Sequence, residues 1–305
     1  MDISLPKVTV LIAVFNGGCF LEEQLVSLVA QKGVDLEIHA NDDGSTDGSY
    51  ELLQLWKDKG IIAKLTQSNR IGASQSFFKL LKEVNTDSWV ALCDQDDVWN
   101  KQKLCLQIEH MTTSESLMSS CSRIYIDSQG SFLGRSKNLR LRPEFSNALI
   151  ENIAPGNTIV LHPAAVRLVN QFQNSSIVHY DSWIYLLISG VNHCTYLHIP
   201  LVSYRIHNNN LVGIRKFGSL SFLSTLKQYI FNAQILEKMA FDQLSHQNQE
   251  ILREFNELTS NIPFNKFVYS LWKARFKRQS RLDQIVVVLL MSLLNLKGRF
   301  TSKKK

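Results

Sequence analysis

The chain has 305 residues, 45% apolar and 20% charged, with a net charge of +6. That composition can bury a substantial core, and it excludes disordered, collagen-like and small disulfide-stapled proteins. Five scattered cysteines (Cys19, Cys93, Cys105, Cys121, Cys194) form no C-x-x-C pair, so neither a zinc site nor a disulfide framework is expected, and a reducing compartment suits them.

Charge is unevenly placed. Residues 266–305 carry eleven Lys and Arg against one acid, Asp283, so the tail is +10 and residues 1–265 sum to −4. Basic charge confined to a tail argues against a nucleic-acid-binding main domain. Val8–Phe15 is short and leads into Asn16-Gly17-Gly18, which is not the pattern of a secretory signal. The longest apolar stretch, Ile285–Leu296, falls short of the roughly 20 residues that cross a bilayer. A soluble main body is expected.

The first third repeats one arrangement. Val8–Phe15 is almost continuously apolar and β-branched, as a strand buried on both faces would be. A helical pattern follows through Phe20, Leu21, Leu25, Leu28 and Val29. A second strand, Leu36–Ala40, runs into Asn41-Asp42-Asp43-Gly44-Ser45-Thr46-Asp47, and a helix through Leu52, Leu53 and Trp56 comes next. A weaker strand (Ile61–Leu65) and a helix (Phe77, Leu80, Leu81, Val84) lead to Trp89–Cys93. That strand ends in Asp94-Gln95-Asp96-Asp97, before a helix with Trp99, Leu104, Ile108 and Met111. Strands alternating with helices predict βαβ units and a mostly parallel sheet, with a ligand crevice beyond the carboxyl ends of its strands. Three strands ending in polar or acidic residues therefore deliver their chemistry to one sheet edge. From 112 to 215 the pattern is less regular, with a possible strand at Ser122–Ile126 and a turn at Pro155-Gly156-Asn157; residues 216–260 read as helical.

Asp94, Asp96 and Asp97 lie within four residues. Carboxylates so close repel one another unless solvated or neutralised by a cation, and an all-oxygen set suits Mg²⁺ or Mn²⁺ sharing diphosphate oxygens. Asp97 alone also fits a helix N-cap. Asp42, Asp43 and Asp47 fit either a turn capped by Ser45 or Thr46, or carboxylates accepting hydrogen bonds from a base or ribose at a strand end.

Taken together, Phe15-Asn16, Asp42-Asp43-Gly44-Ser45-Thr46-Asp47 and Asp94-Gln95-Asp96-Asp97-Val98-Trp99 resemble a family 2 glycosyltransferase of GT-A fold. The Asp-Gln-Asp-Asp-x-Trp form is similar to rhamnosyltransferase-like members that build bacterial surface polysaccharides. Pro155-Gly156-Asn157-Thr158, His179-Tyr180-Asp181-Ser182-Trp183 and Tyr204-Arg205-x-His207-x-Asn209 extend the likeness in order to about residue 215. The resemblance implies an α/β GT-A domain over 1–215, with a nucleotide-binding half (1–111) and an acceptor-binding half (112–215), followed by a helical region with a basic tail over 216–305. It implies that Asp43 and Asp42 hold the nucleotide's base or ribose, and that Asp94 and Asp96 form the D-x-D element. Asp96 would ligate Mg²⁺ or Mn²⁺ and Asp94 would lie nearer the ribose. Asp181 would be the general base, Arg205 and His207 would address the diphosphate, and His207 could complete the metal sphere. One departure is evident: Tyr180 stands where the family usually has an acid before Asp181.

The implied reaction is inverting transfer from a nucleotide sugar, dTDP-rhamnose or a UDP-hexose, to a growing and lipid-linked polysaccharide. A cation at the leaving diphosphate and a carboxylate opposite it suit that chemistry. Asn69-Arg70-x-Gly72 fits a nucleotide contact or an exposed turn, and Trp99 a sugar-pocket wall or a core residue. The tail (Lys273-Ala274-Arg275-Phe276-Lys277-Arg278, Ile285–Leu296, Lys297–Lys305) suits an interfacial helix drawn to anionic lipid, or a last helix covering the core. The first reading places the enzyme in the cytoplasm, peripherally at the inner face of the cell membrane. Two rivals remain: a haloacid-dehalogenase-like phosphatase with Asp94 as nucleophile and Asp96 as acid/base, and a non-catalytic nucleotide-binding relative.

Overall fold

The computed structural model describes residues 4–207, 219–259 and 276–280, with further positions between 283 and 291. In chain order its first elements are β1 (Lys7–Val14), α1 (Leu21–Val29), β2 (Asp35–Asp42), α2 (Ser49–Asp58), β3 (Lys64–Gln67), α3 (Ala73–Glu83) and β4 (Trp89–Cys93). There follow β5 (Val98–Trp99), α4 (Lys103–Ser114), β6 (Met118–Ile126), β7 (Phe132–Arg135), α5 (Phe145–Ala148), β8 (Val160–Leu161) and α6 (Pro163–Gln171). The last are α7 (Tyr180–Val191), β9 (Cys194–Arg205), α8 (Ser219–Ala240) and α9 (His246–Thr259).

Two compact units emerge. The first comprises residues 1–138, 154–184 and 193–213; the second comprises 139–153, 185–192 and 214–305. The second therefore takes in two internal segments that the sequence reading grouped with residues 112–215.

The nine strands of the described residues belong to the first unit and make one sheet in the order β3-β2-β1-β4-β8-β6-β9-β5, with β7 paired to β6. β3, β2, β1 and β4 are mutually parallel. Past β4 the sheet is mixed, because β8 runs antiparallel to both β4 and β6 while β6 and β9 are parallel. β1 is central and buried on both faces, with Val8, Val10, Leu11 and Ile12 at 0–1% exposure; this explains its unbroken apolar run. Leu21, Leu25 and Leu28 of α1, Leu53 and Trp56 of α2, and Leu104, Ile108 and Met111 of α4 pack on the sheet in one core cluster. Trp99 is 4% exposed and belongs to that core, which decides between its two sequence readings.

β1 pairs with β2 on one side and β4 on the other. Chain order reverses there, and a crevice is expected at the carboxyl ends of these strands. Each of them ends in one of the polar motifs.

In the second unit, Phe255 of α9 meets Phe276 edge-on at 5.1 Å, and Arg278 is buried beside Glu151 (3.3 Å). One cation of the basic run is thus an internal ion-pair partner. Val287 and Met291 are buried, whereas Ile285 is 57% exposed. Lys273 to Arg275 and Ser292 to Lys305 lie outside the described residues. Among the described residues no helix is long and apolar enough to cross a membrane.

Candidate active site

The carboxyl ends of β1, β2 and β4 are laced by side chains from the motifs themselves. Gln95 closes β4 onto β1: Phe15 N donates to Gln95 Oε1 (2.7 Å), and Gln95 Nε2 donates to the Phe15 carbonyl (3.0 Å). The side chain extends the ladder by one rung, and so fixes the acids that flank it. Asn16, at φ +50°, accepts from Thr46 N (2.8 Å), while its own N–H donates to Ser45 Oγ (2.9 Å).

The β2 acids build turns. Asp42 Oδ2 accepts from Gly44 N and Ser45 N, both at 3.1 Å. Asp43 Oδ1 and Oδ2 accept from Ile71 N (2.8 Å) and Gly72 N (2.7 Å), tying β2 to the loop before α3. Gly72 sits at φ +85°, a conformation that favours glycine. The acids proposed for base and ribose therefore organise the surrounding backbone, and Asp43 is 5% exposed. Arg70 stacks over the exposed Phe15 ring at 5.4 Å.

The three acids after β4 divide their roles. Asp97 is fully buried and joins two other segments: Asn157 Nδ2 donates to its Oδ2, and Arg205 N donates to its Oδ1 (3.1 Å). It is an internal clasp and not the cap of α4, whose cap position is Gln102. Burial, then the charges of Asp94 and Asp96, push the Asp97 carboxyl well above the usual range. Asp96 Oδ2 lies 2.8 Å from His207 Nε2, and the His207 ring packs on Phe20 (4.9 Å). Asp94 is pushed up to about 7, chiefly by burial and then by the charges of Asp96 and Asp181; Arg123 and a hydrogen bond from Tyr180 act in the opposite direction. Asp94, Asp96 and Asp181 thus share one electrostatic neighbourhood.

Tyr180, where the family pattern has an acid, opens α7 and is buried, with its ring stacked on Phe77 at 4.2 Å. Its hydroxyl passes so close over Gly156 that a Cβ there would lie 1.8 Å away. The Pro155-Gly156-Asn157-Thr158 motif thereby gains a physical basis: Gly156 clears space for Tyr180, and Asn157 holds Asp97. Asp181 accepts from Ser182 N (2.8 Å) in the first turn of α7.

Arg205 is 1% exposed, its guanidinium donating to the carbonyls of Asp96 (3.0 Å), Asp127 (3.3 Å) and Ser128 (3.4 Å) and pairing with Glu23 (2.5 Å). It braces the Asp96 loop. Glu23, in the first turn of α1, gave no signal in the sequence.

Asp96 and His207 fit a divalent ion. Neighbouring ligands of an octahedral Mg²⁺ or Mn²⁺, each about 2.1 Å from the metal, stand roughly 3 Å apart, and the Oδ2–Nε2 separation is 2.8 Å. Among the described residues no group of three or more His, Cys, Asp or Glu side chains is placed to hold a metal ion by itself.

Comparisons with known proteins identify the family. The chain is 27% identical over 300 residues to the dTDP-rhamnosyl transferase RfbG of Shigella flexneri, covering 93% of this chain and 99% of that protein. It is 27% identical over 221 residues to the UDP-Glc:alpha-D-GlcNAc-diphosphoundecaprenol beta-1,3-glucosyltransferase WfaP of Escherichia coli (71% and 83% covered). In fold it is similar to S. aureus TarS, solved with UDP-GlcNAc, at a TM-score of 0.60 and 14% identity over 88% of this chain and 80% of that one. A mannosyltransferase of Pyrobaculum calidifontis, solved with GDP-Man and Mn²⁺, matches at 0.54 and 15% identity, with 96% and 88% covered. The family model described as glycosyl transferase family 2 matches residues 9–169, more than half of the chain. The phosphatase alternative falls with that match: the chain belongs to glycosyl transferase family 2, and it is a glycosyltransferase.

Proposed function

We propose that this glycosyltransferase moves a sugar from a nucleotide-sugar donor to a hydroxyl of a growing cell-surface polysaccharide, with inversion at the anomeric carbon and with a divalent cation. The observation that carries the reading is that Asp94 and Asp96, just past β4, lie within electrostatic reach of Asp181 in the first turn of α7. Similarity to a dTDP-rhamnosyl transferase over nearly the whole chain favours dTDP-rhamnose as donor, with UDP-hexoses next. Similarity to an enzyme named for a diphosphoundecaprenol-linked substrate favours a lipid-linked acceptor. The basic tail is proposed to hold the enzyme peripherally at the inner face of the cell membrane.

In this reading Asp181 takes the proton of the acceptor hydroxyl as its oxygen attacks the anomeric carbon, and the nucleoside diphosphate leaves from the opposite face. Asp96 and His207 would hold Mg²⁺ or Mn²⁺, which when bound neutralises charge on the leaving diphosphate. Asp94 is proposed to face the ribose, and Asp42 and Asp43 to shape the base site through the backbone they order. Gln95 and Arg205 fix the loop that presents Asp96.

A thermal-shift panel of nucleoside diphosphates and nucleotide sugars, with and without Mn²⁺, tests donor and metal together. A metal-dependent shift with dTDP or UDP compounds is expected. Asp181→Asn should retain that shift and lose about 10²–10⁴-fold in transfer rate, the span of general acid–base catalysis. Full activity in Asp181→Asn would remove the assigned base.

A further inference from the structure

The Arg205 guanidinium is engaged by Glu23 and by backbone carbonyls, and the β6–β9 pair offers a further cationic side chain that the motifs did not reveal. Arg123 and Tyr125 alternate onto one face of β6, and Tyr204 is the register partner of Tyr125 on β9. The Arg123 guanidinium lies 4.9 Å from the Tyr204 ring centroid and 5.9 Å from that of Tyr125. The two rings meet edge-on at 6.2 Å. Aromatic faces hold a guanidinium in place while leaving its five N–H donors available. Among the described residues no carboxylate forms an ion pair with Arg123, and its hydrogen bonds, to Ser136 and within the β6–β9 ladder, are made by its backbone. Its charge nevertheless acts on Asp94, and the side chain is partly exposed.

Tyr204 adjoins Arg205, whose N–H bonds Asp97 and whose Nε bonds the Asp96 carbonyl, so an arginine stacked on Tyr204 stands near the Asp94–Asp97 loop and is arranged to receive an anion. Without a cation those acids would repel any phosphate. A planar guanidinium is suited to bidentate capture of phosphate oxygens. We propose that Arg123, braced by Tyr125 and Tyr204, binds the diphosphate of the nucleotide-sugar donor. This rests on the transferase reading above and names a contact within it. Both tyrosines then act as positioning residues, because their rings fix the direction in which Arg123 points.

The test is calorimetric binding of UDP and dTDP, each with Mn²⁺, beside the matching nucleosides and a short-chain alkyl diphosphate, to the wild-type full chain, Arg123→Gln and Arg123→Lys. We expect Arg123→Gln to weaken nucleoside diphosphate binding by tenfold or more, with nucleoside binding unchanged. Arg123→Lys, which keeps the charge and loses the fork, should fall between. Donor KM should rise more than kcat falls. Unchanged diphosphate affinity in a folded Arg123→Gln, or a loss confined to the alkyl diphosphate, overturns the assignment; the latter result would place Arg123 at the acceptor. If Arg123→Gln does not fold, Arg123→Lys decides by the same comparison. Absence of nucleoside diphosphate binding to the wild-type protein would overturn the transferase reading itself, so the two failures are distinguishable.

Discussion

Gly156→Ala probes the packing that stands behind the proposed base. The added methyl carbon would lie 1.8 Å from Tyr180 Oη, 2.6 Å from Cζ and 3.0 Å from Cε2. An ordinary contact needs roughly 3.5 Å, so the ring would have to retreat by about 1.5 Å. It has little room, since its face is stacked on Phe77 at 4.2 Å and Phe77 is itself 1% exposed. Overpacking of this kind costs about 1–3 kcal/mol. Displacing the hydroxyl from Asp94 adds about 1.5–3 kcal/mol for a hydrogen bond to a charged group. The expected loss is therefore about 2.5–6 kcal/mol, read from urea unfolding at unchanged m-value. Tyr180→Leu removes the clashing atoms, and in that background Gly156→Ala should cost under about 1 kcal/mol, leaving a coupling of at least ~1.5 kcal/mol. Additive costs, within about 0.5 kcal/mol, would refute the view that Gly156 is small for the sake of Tyr180.

Other outcomes follow from individual contacts. Lys103 is fully buried over the Trp99 ring at 3.7 Å, its Nζ has no hydrogen-bond acceptor among the described residues, and burial lowers it from 10.5 to about 8. At neutral pH its charge costs up to about 3 kcal/mol, offset by about 1–2 kcal/mol from the ring. Lys103→Met should therefore match or exceed wild-type stability at pH 7. Because the unfolded chain binds more protons between pH 8 and 10.5, the wild type should gain on the variant across that window, as paired urea titrations would show. Asp97→Asn replaces an acceptor with a donor facing Asn157 Nδ2; a loss of about 1–3 kcal/mol in urea unfolding is expected. His207→Ala should weaken nucleotide-dependent Mn²⁺ binding about tenfold or more, measured by the paramagnetic resonance of free Mn²⁺. Unaltered Mn²⁺ affinity would remove His207 from the metal shell.

Local pattern alone determined much of this protein. Short, nearly continuous apolar runs bounded by turn residues suit strands covered on both faces, and they marked β1 and, to the residue, β4 (Trp89–Cys93). Acidic turns placed after such strands must gather at one sheet edge, because parallel strands share a direction. The identity of the family followed from the order of those turns. Tertiary structure decided how each polar group is used, since that depends on neighbours remote in sequence. Asp97 and Asp96 are adjacent, yet one is locked between Asn157 and Arg205 and the other faces His207. Arg205 lies within a recognisable motif but is neutralised by Glu23, 182 residues away. Arg123 lies in no motif, and only the pairing of β6 with β9 sets it between two tyrosines beside the acids. A sequence fixes which side chains are available, but the electrostatic work of each is set by the partners that folding brings within a few ångströms.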